Sequence, residues 1–420
     1  MTRRRKPGFD LSRESINRLV DLHPPWEVVE LEVVHEGREV RVHIAHDGNE
    51  RLSCPECGCQ CSGYDHRERR WRHLDTMEYR TYLVCDVPRV RCPEHGVMTV
   101  KVPWSESMSR FTNRFEAMVI DWLREASVLA VHRLLGVSWN AIYGIKARAV
   151  VRGLSRREDC KPVHVCVDET SFRKRHDYVT VVSDFTTGTV QFVGEGRRKG
   201  TLNGWYKGLS QEQLESIRSV SMDMWPAYIT STLDHVPGAG DKIALDRFHV
   251  MKKMNEAVDK VRRQEHKALA REGVNDLKGT KYDWLTNHAN MPEGQRRRFR
   301  QLRNSSLKTS RAWAIKELGM SLWKYVCRGW ARKAWKRWLG WAMRCRLEPM
   351  KEVARMVRKH LWGIINAVVL KVGNGPAESL NSRIRMIKVK GRGYRNRERF
   401  ITDIYFHLGG LNLYPEGVKS

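Results

Sequence analysis

Cys54-Pro55-Glu56-Cys57-Gly58 and Cys92-Pro93-Glu94-His95-Gly96 repeat one pattern: a thiol, two residues, a second ligand and a glycine. Four such ligands closing on one ion bring two distant loops to within ~4 Å of each other, a severe constraint on any fold. The sequence between them is strand-like. A tetrahedral structural zinc site of Cys54, Cys57, Cys92 and His95 is therefore expected, each glycine letting the backbone turn. The alternative is a pair of loops whose thiols are only buried. Six of the ten cysteines lie between Cys54 and Cys92. Cys59 and Cys61 either replace His95 or sit idle nearby. A closed four-ligand site has no open position for catalysis, so its expected role is folding or DNA contact.

The N-terminal Thr2-Arg3-Arg4-Arg5-Lys6-Pro7 lacks the apolar run of a signal peptide and reads as a phosphate-contacting arm or a frayed terminus. Clustered cysteines without an export signal favour metal ligation over disulfides, in a reducing cytoplasm. No stretch approaches the ~20 apolar residues that span a bilayer.

Residues 1–50 comprise this arm and a β hairpin over 26–50, with Glu36-Gly37-Arg38 as its turn. Residues 51–105 form the zinc-binding region, with a further strand from Tyr79 to Val90. Residues 106–155 read as a helix-turn-helix domain, with Phe115, Met118, Val119 and Trp122 on one stripe. Within it Gly136 permits the turn, Ser138 caps the following helix, and Val131, Leu135, Val137, Ile142 and Ile145 form a small core. The second helix would present Asn140, Lys146 and Arg148 to the major groove. His132 occupies a position where this motif wants a small residue.

From 156 to 250 strands alternate with helices (strands at 163–168, 178–184, 189–193, 217–223 and 242–246), which implies an α/β layered domain. Residues 251–370 read as a large helical insertion holding eight of the fifteen tryptophans. Trp323, Trp330, Ala334, Trp338 and Trp341 follow helical spacing, as a core stripe or as rings that stack on unpaired bases. The α/β pattern resumes over 371–420.

The net charge is +28, with basic residues along the whole chain, a balance that favours polyanions and nucleic acid above all. Against it stand Asp168, closing Val163–Val167, Asp223, closing Ile217–Met222, and Glu378, opening an amphipathic helix. Glu378, Asn381, Ser382 and Arg385 share one face of that helix, while Leu380, Ile384 and Ile387 share another. Two strand-end aspartates and a helical glutamate can hold a pair of divalent cations. Asp246 and the nearby His249, with Asn381, are supporting candidates. Arg383, Arg385, Lys388, Lys390, Arg392 and Arg395 border the acids and suit a phosphate backbone. For any single acid, a local cap or salt bridge remains the simpler account.

Val167-Asp168-Glu169-Thr170-Ser171, Ser221-Met222-Asp223-Met224-Trp225-Pro226-Ala227-Tyr228 and Asp246-Arg247-Phe248-His249-Val250 are three ordered motifs. The fourth is Asn374-Gly375-Pro376-Ala377-Glu378-Ser379-Leu380-Asn381-Ser382-Arg383-Ile384, followed by Lys390-Gly391-Arg392-Gly393-Tyr394-Arg395-Asn396. Together with the zinc knuckles they resemble bacterial insertion-sequence transposases of the ISL-three family over nearly the whole chain. The resemblance implies an Asp-Asp-Glu site on a ribonuclease-H-like α/β domain interrupted by the insertion. It further implies two Mg2+ ions (Mn2+ may substitute) on Asp168, Asp223 and Glu378. The reaction it implies is end cleavage followed by attack of the freed 3′ hydroxyl on target DNA. The partners would be double-stranded DNA and at least one further copy of the chain, in a bacterial cytoplasm on the nucleoid. A catalytically silent DNA-binding regulator and a structure-selective nuclease on the same fold are the competing readings.

Overall fold

In the computed structural model, residues 13–48, 51–157, 161–173, 177–304 and 307–418 are described. The basic run Thr2–Pro7 lies outside them. Two compact units result, residues 1–157 with 411–420, and residues 158–410.

The first unit begins with α1 (Arg13–Val20) and the hairpin β1 (Trp26–Val34) and β2 (Glu39–His46). It continues through β3 (Ser62–Arg72), β4 (Arg80–Cys92) and β5 (Gly96–Thr99). The strands form one sheet in the order β1-β2-β4-β3 with β5 on β4, and only the β2–β4 pairing is parallel. Alternation puts Val40, Val42 and Ile44 of β2 inside. Trp104 packs edge-on to both Trp26 and Trp71, with ring centroids 5.0 and 5.4 Å apart.

Three helices follow: α2 (Asn113–Glu125), α3 (Val128–Leu135) and α4 (Trp139–Ser155). Thr112, Ser127 and Ser138 cap them, each hydroxyl accepting a backbone N–H of the first turn. Gly136 closes α3 at φ 62°, the left-handed turn expected there. His132 contributes to this turn, its Nδ1–H donating to the Val137 carbonyl at 2.8 Å. Val131, Val137, Ile142 and Ile145 are buried as expected, Leu135 only partly. Trp122 departs from its expected stripe and is 43% exposed.

Residues 411–418 also belong to this unit, although the sequence placed all of 371–420 with the second α/β segment. Arg152 Nε and Nη2 donate to the Leu413 carbonyl at 3.1 and 2.7 Å, and Tyr414 Oη donates to Asp121 at 2.5 Å.

The second unit is built on β6 (His164–Arg173), β7 (Asp177–Asp184) and β8 (Val190–Glu195). α5 (Lys199–Lys207) and α6 (Gln211–Ser216) lead to β9 (Ser219–Met222). α7 (Pro226–His235) and α8 (Ala239–Lys242) lead to β10 (Ile243–Leu245). The sheet order is β10-β9-β6-β7-β8. β6, β7 and β8 form an antiparallel meander, and β9 and β10 run parallel to β6. β6 runs five residues past Asp168 because Glu169 to Arg173 also pair with β7. Asp168 is therefore a mid-strand residue, not the strand-end aspartate the sequence suggested.

α9 (Arg247–Arg271), α10 (Lys281–Leu285), α11 (Glu293–Asn304), α12 (Lys308–Ser321), α13 (Arg328–Arg344) and α14 (Glu348–Leu370) make a helical body with its own core. The expected tryptophan stripe is broken. Trp323 lies in a separate short 3-10 turn, Trp338 is buried beside Trp335, and Trp330 and Trp341 are exposed at 62% and 37%. α14 clamps this body to the sheet, with Asn366 Nδ2 donating to the Gly240 and Ile243 carbonyls at 2.7 and 3.0 Å.

The chain returns through α15 (Gly375–Lys390) and α16 (Arg397–Leu408). Leu380, Ile384 and Ile387 pack with Phe172, Val179 and Val181 on one face of the sheet, and Val165, Val167 and Val182 meet Leu202 and Tyr206 on the other. α15 thus carries Glu378 along the sheet, and its apolar stripe sets which way the polar face points.

Candidate active site

Asp168, in the middle of β6, accepts the Glu169 N–H on Oδ1 and the Asn381 side-chain amide on Oδ2, both at 2.8 Å. Burial pushes its pKa up to about 7, with the Asp223 and Glu169 charges adding to the rise. Asp223 follows β9 at the entrance to α7 and accepts the Trp225 N–H at 2.8 Å. Its carboxyl is raised by burial and by Asp246, against the pull of His249 and Arg197. Glu378 sits in the first turn of α15 and is raised by burial and then by Asp246, with His249 opposing.

Asp246 is the most deeply buried of these acids, 3% exposed, and its oxygens are occupied. It caps α9 by accepting the Phe248 and His249 N–H groups at 3.1 and 3.3 Å. It also accepts from His249 Nδ1 at 2.8 Å and from the Asn374 N–H at 3.4 Å. His249, whose pKa is raised chiefly by that Asp246 bond, faces all four acids, and its charged form would lower Asp168, Asp223 and Glu378.

Like charges gathered in a buried place need a cation or shed their charge. Glu378 Oε1 and Glu169 Oε2 are buried without a protein partner. Hard oxygen donors left unmatched in this way fit a divalent cation of the magnesium class. The three expected ligands do not close into one tight cluster. Among the described residues, the groups of three or more ligand atoms lying within 4.8 Å of one another are made of cysteine and histidine. The acids act on each other in a chain instead: Asp168 with Asp223, Asp223 with Asp246, and Asp246 with Glu378.

Cys54, Cys57, Cys92 and His95 form one such thiol group. Cys57 and Cys92 Sγ are 3.7 Å apart, and His95 Nδ1 lies 3.6 Å from Cys92 and 3.9 Å from Cys54. Zn–S bonds of about 2.3 Å give a tetrahedral edge of ~3.8 Å, so the four ligands fit one structural zinc. Gly58 and Gly96 end the two knuckles at φ 72° and 70°.

Comparison with known proteins places these parts. Residues 165–404, more than half the chain, match a family model described as transposase. Residues 50–95 match the zinc finger of transposases IS204, IS1001, IS1096 and IS1165, and residues 100–150 match the helix-turn-helix domain of transposase family ISL3.

The chain belongs to the ISL3 transposase family.

The transposase for insertion sequence element IS1557 of Mycobacterium tuberculosis is 29% identical over 387 residues, covering 85% of this chain and 86% of that one. The transposase for IS1001 of Bordetella parapertussis is 27% identical over 374 residues, 88% of this chain and 91% of its own. The zinc ribbon, the helix-turn-helix domain and the transposase domain thus follow in that order; the first holds a cysteine–histidine cluster that fits structural zinc, and the second implies DNA binding. No single helix among the described residues is long and apolar enough to cross a membrane.

Several residues expected at the DNA surface of this transposase face elsewhere. Lys146 is 2% exposed because it follows Ile142 by one turn on the buried face of α4. Arg148 is ion-paired to buried Glu116, its Nε donating at 3.1 Å. Lys388 Nζ donates to the Ser171 carbonyl at 2.8 Å, pinning α15 to β6. Asn140, Arg383, Arg385, Arg392 and Arg395 are exposed, and Lys390 is half-buried.

Sequence reasoning missed Glu169 and Arg197. Arg197 Nη1 donates to Glu169 at 3.3 Å, and its guanidinium lies over the Tyr178 and Trp225 rings at 4.6 and 4.5 Å. Glu169 adjoins Asp168 and was findable. Arg197 reaches the site only because Gly196 bridges to Val179 of β7, which no local pattern announces.

Proposed function

We propose that the transposase domain is an Asp-Asp-Glu enzyme on a ribonuclease-H-like sheet. It would cleave transposon ends and transfer the freed strand into target DNA. The observation that carries this reading is the gathering of part-buried Asp168, Asp223 and Glu378 with buried Asp246 around His249, the buried Glu378 Oε1 being left without a protein partner. The β10-β9-β6-β7-β8 order, a three-stranded meander extended by two parallel strands, supports the fold reading.

Asp168 and Asp223 would hold two divalent ions, with Glu378 completing the shell of the second. Two Mg2+ ions, or Mn2+ in their place, supply Lewis acidity at the scissile phosphate and a lowered pKa for an attacking water. Asn381 orients the Asp168 carboxylate. Asp246 fixes the entry to α9 and the segment leading into α15, and so positions Glu378 without touching DNA. His249 balances the surrounding negative charge. Exposed Arg383, Arg385, Arg392 and Arg395 would take the phosphate backbone, with half-buried Lys390 at the edge of the same run, and Asn140 would read the end sequence.

The modules proposed are 51–105 for zinc, 106–155 for end recognition, and 156–250 with the elements after 370 for chemistry, around the insertion at 251–370. Two ends must be joined at once, so the active form on DNA would be at least a dimer. The test incubates the protein with its own DNA ends and Mg2+, comparing wild type with Asp168→Asn, Asp223→Asn and Glu378→Gln. Loss of cleavage and joining in each variant is expected. Unchanged activity sinks the assignment, and cleavage without joining in the wild type points to a nuclease.

A further inference from the structure

The cysteine cluster holds more ligands than one structural ion uses. With Cys54, Cys57, Cys92 and His95 committed, Cys59 and Cys61 remain on the same loop. They are held there by backbone bonds. The Cys59 carbonyl accepts the Cys54 N–H at 2.9 Å, the Cys61 N–H donates to the Leu52 carbonyl at 2.9 Å, and Ser53 pairs with Gln60 between them. This short ladder puts alternate residues on one side, so both thiols point the same way.

They point at Cys92. Cys59 Sγ is 3.6 Å from Cys92 Sγ and 3.5 Å from Cys61 Sγ, and the three sulfurs all lie within 4.8 Å of one another. These are close to the ~3.8 Å edges of a thiolate tetrahedron around zinc. The contact between the two ligand sets, Cys57 to Cys59, is 3.1 Å, with Cys92 as their common corner. Cys59 is exposed and Cys61 half-buried, so a cation on this side has an open position for water.

We propose that Cys59, Cys61 and Cys92 form a second thiolate site, which takes one d10 cation of the zinc class and shares Cys92 with the zinc-ribbon ion as a bridging ligand. This rests on the reading of Cys54, Cys57, Cys92 and His95 as the first site. Filling the second site converts the Cys59 and Cys61 thiols to thiolates and releases their two protons to solvent. Two ions offset the charge of five neighbouring thiolates almost fully, which one ion cannot. The second ion, on the solvent side and with three protein ligands, exchanges faster than the first.

The test uses the full chain, kept reduced, saturated with Zn2+ and freed of excess. Native mass spectrometry then counts bound ions in the wild type and in the Cys59→Ser/Cys61→Ser variant, which leaves the first site whole. Two ions in the wild type and one in the variant are expected, with both proteins folded. The extra wild-type ion should be the first lost to a chelator. With Cd2+ in place of Zn2+, thiolate-to-metal absorption should fall in the ratio of five ligands to three. A wild type that saturates at one ion overturns the proposal, as does a variant that still binds two. A wild type that binds none overturns the zinc-ribbon reading itself.

Discussion

The Asn381 side-chain amide donates to Asp168 Oδ2 at 2.8 Å and also approaches the Glu169 carbonyl at 3.4 Å, tying α15 to the middle of β6. Glu378 lies one turn before Asn381, so this contact sets the spacing between two carboxylates that are distant in sequence. A hydrogen bond to a charged acceptor contributes ~1.5–3 kcal/mol. Asn381→Ala should therefore lower end cleavage by about 10–100-fold, each ~1.4 kcal/mol being tenfold in rate. Leu380 and Ile384 still anchor the helix, so the variant should remain folded at assay temperature. Steady-state cleavage on a labelled end duplex checks this, and wild-type rates would remove Asn381 from the site.

Asp223 is a charge the fold bears rather than uses. It has one backbone donor, Trp225, and burial and the Asp246 charge raise its carboxyl more than His249 and Arg197 lower it. Asp223→Asn keeps an oxygen for the Trp225 N–H and removes the charge. In chelator at neutral pH the variant should be more stable than wild type by about 1–3 kcal/mol while losing cleavage. Urea unfolding with and without Mg2+ decides it, since added Mg2+ should stabilise the wild type alone.

Glu116 is 1% exposed and accepts from Ser109 Oγ at 2.7 Å and from Arg148, with Arg152 4.0 Å away. Glu116→Ala leaves two guanidinium groups facing a void. A loss of about 3–5 kcal/mol is expected, read as a lower unfolding midpoint of the first unit. Arg148→Ala should cost stability without changing the end-sequence preference of the folded fraction. A binding assay that shows relaxed preference would return Arg148 to the DNA surface.

The difference between legible and illegible residues has a physical basis. Ser138, Gly136 and the two knuckles act within a few residues of themselves, so spacing alone revealed them. The alternating strands and the apolar stripe Leu380, Ile384, Ile387 were also readable, because burial follows a period. Lys146 and Arg148 misled because a basic residue on a recognition helix looks the same whether it meets DNA or a buried glutamate. Asp168 was read as a strand end because the apolar run stops there, while the strand continues on its pairing with β7. Arg197, Glu169 and the Asn381 contact depend on which strands lie side by side.

Gly363 of α14 meets Leu245 of β10 so closely that an added Cβ would stand 2.6 Å from Leu245 Cγ. This is where the insertion rests on the strand leading to Asp246. Gly363→Ala should overpack the contact and cost about 1–3 kcal/mol. Paired with Leu245→Ala, which makes room, the loss should be partly recovered, and thermal melts of the two single variants and the double variant measure the coupling.

His73 is buried, and its Nδ1 lies 2.9 Å from Thr112 Oγ1, the hydroxyl that caps α2. That oxygen also accepts the Phe115 N–H, so the histidine ring and the α2 cap share one buried hydroxyl. Burial, with Arg114 and Arg72 nearby, pushes the His73 pKa down from 6.5 to about 4. As pH falls the unfolded chain takes up this proton first, so stability is full above ~6.5 and is lost between there and about 4. At ~1.4 kcal/mol per pH unit across that window, the loss approaches ~3 kcal/mol. Unfolding midpoints of the first unit at roughly pH 7, 5.5 and 4.5 should fall steeply in the wild type. They should fall less in His73→Asn, whose side chain does not titrate. Equal slopes in the two proteins would assign the acid sensitivity to other groups.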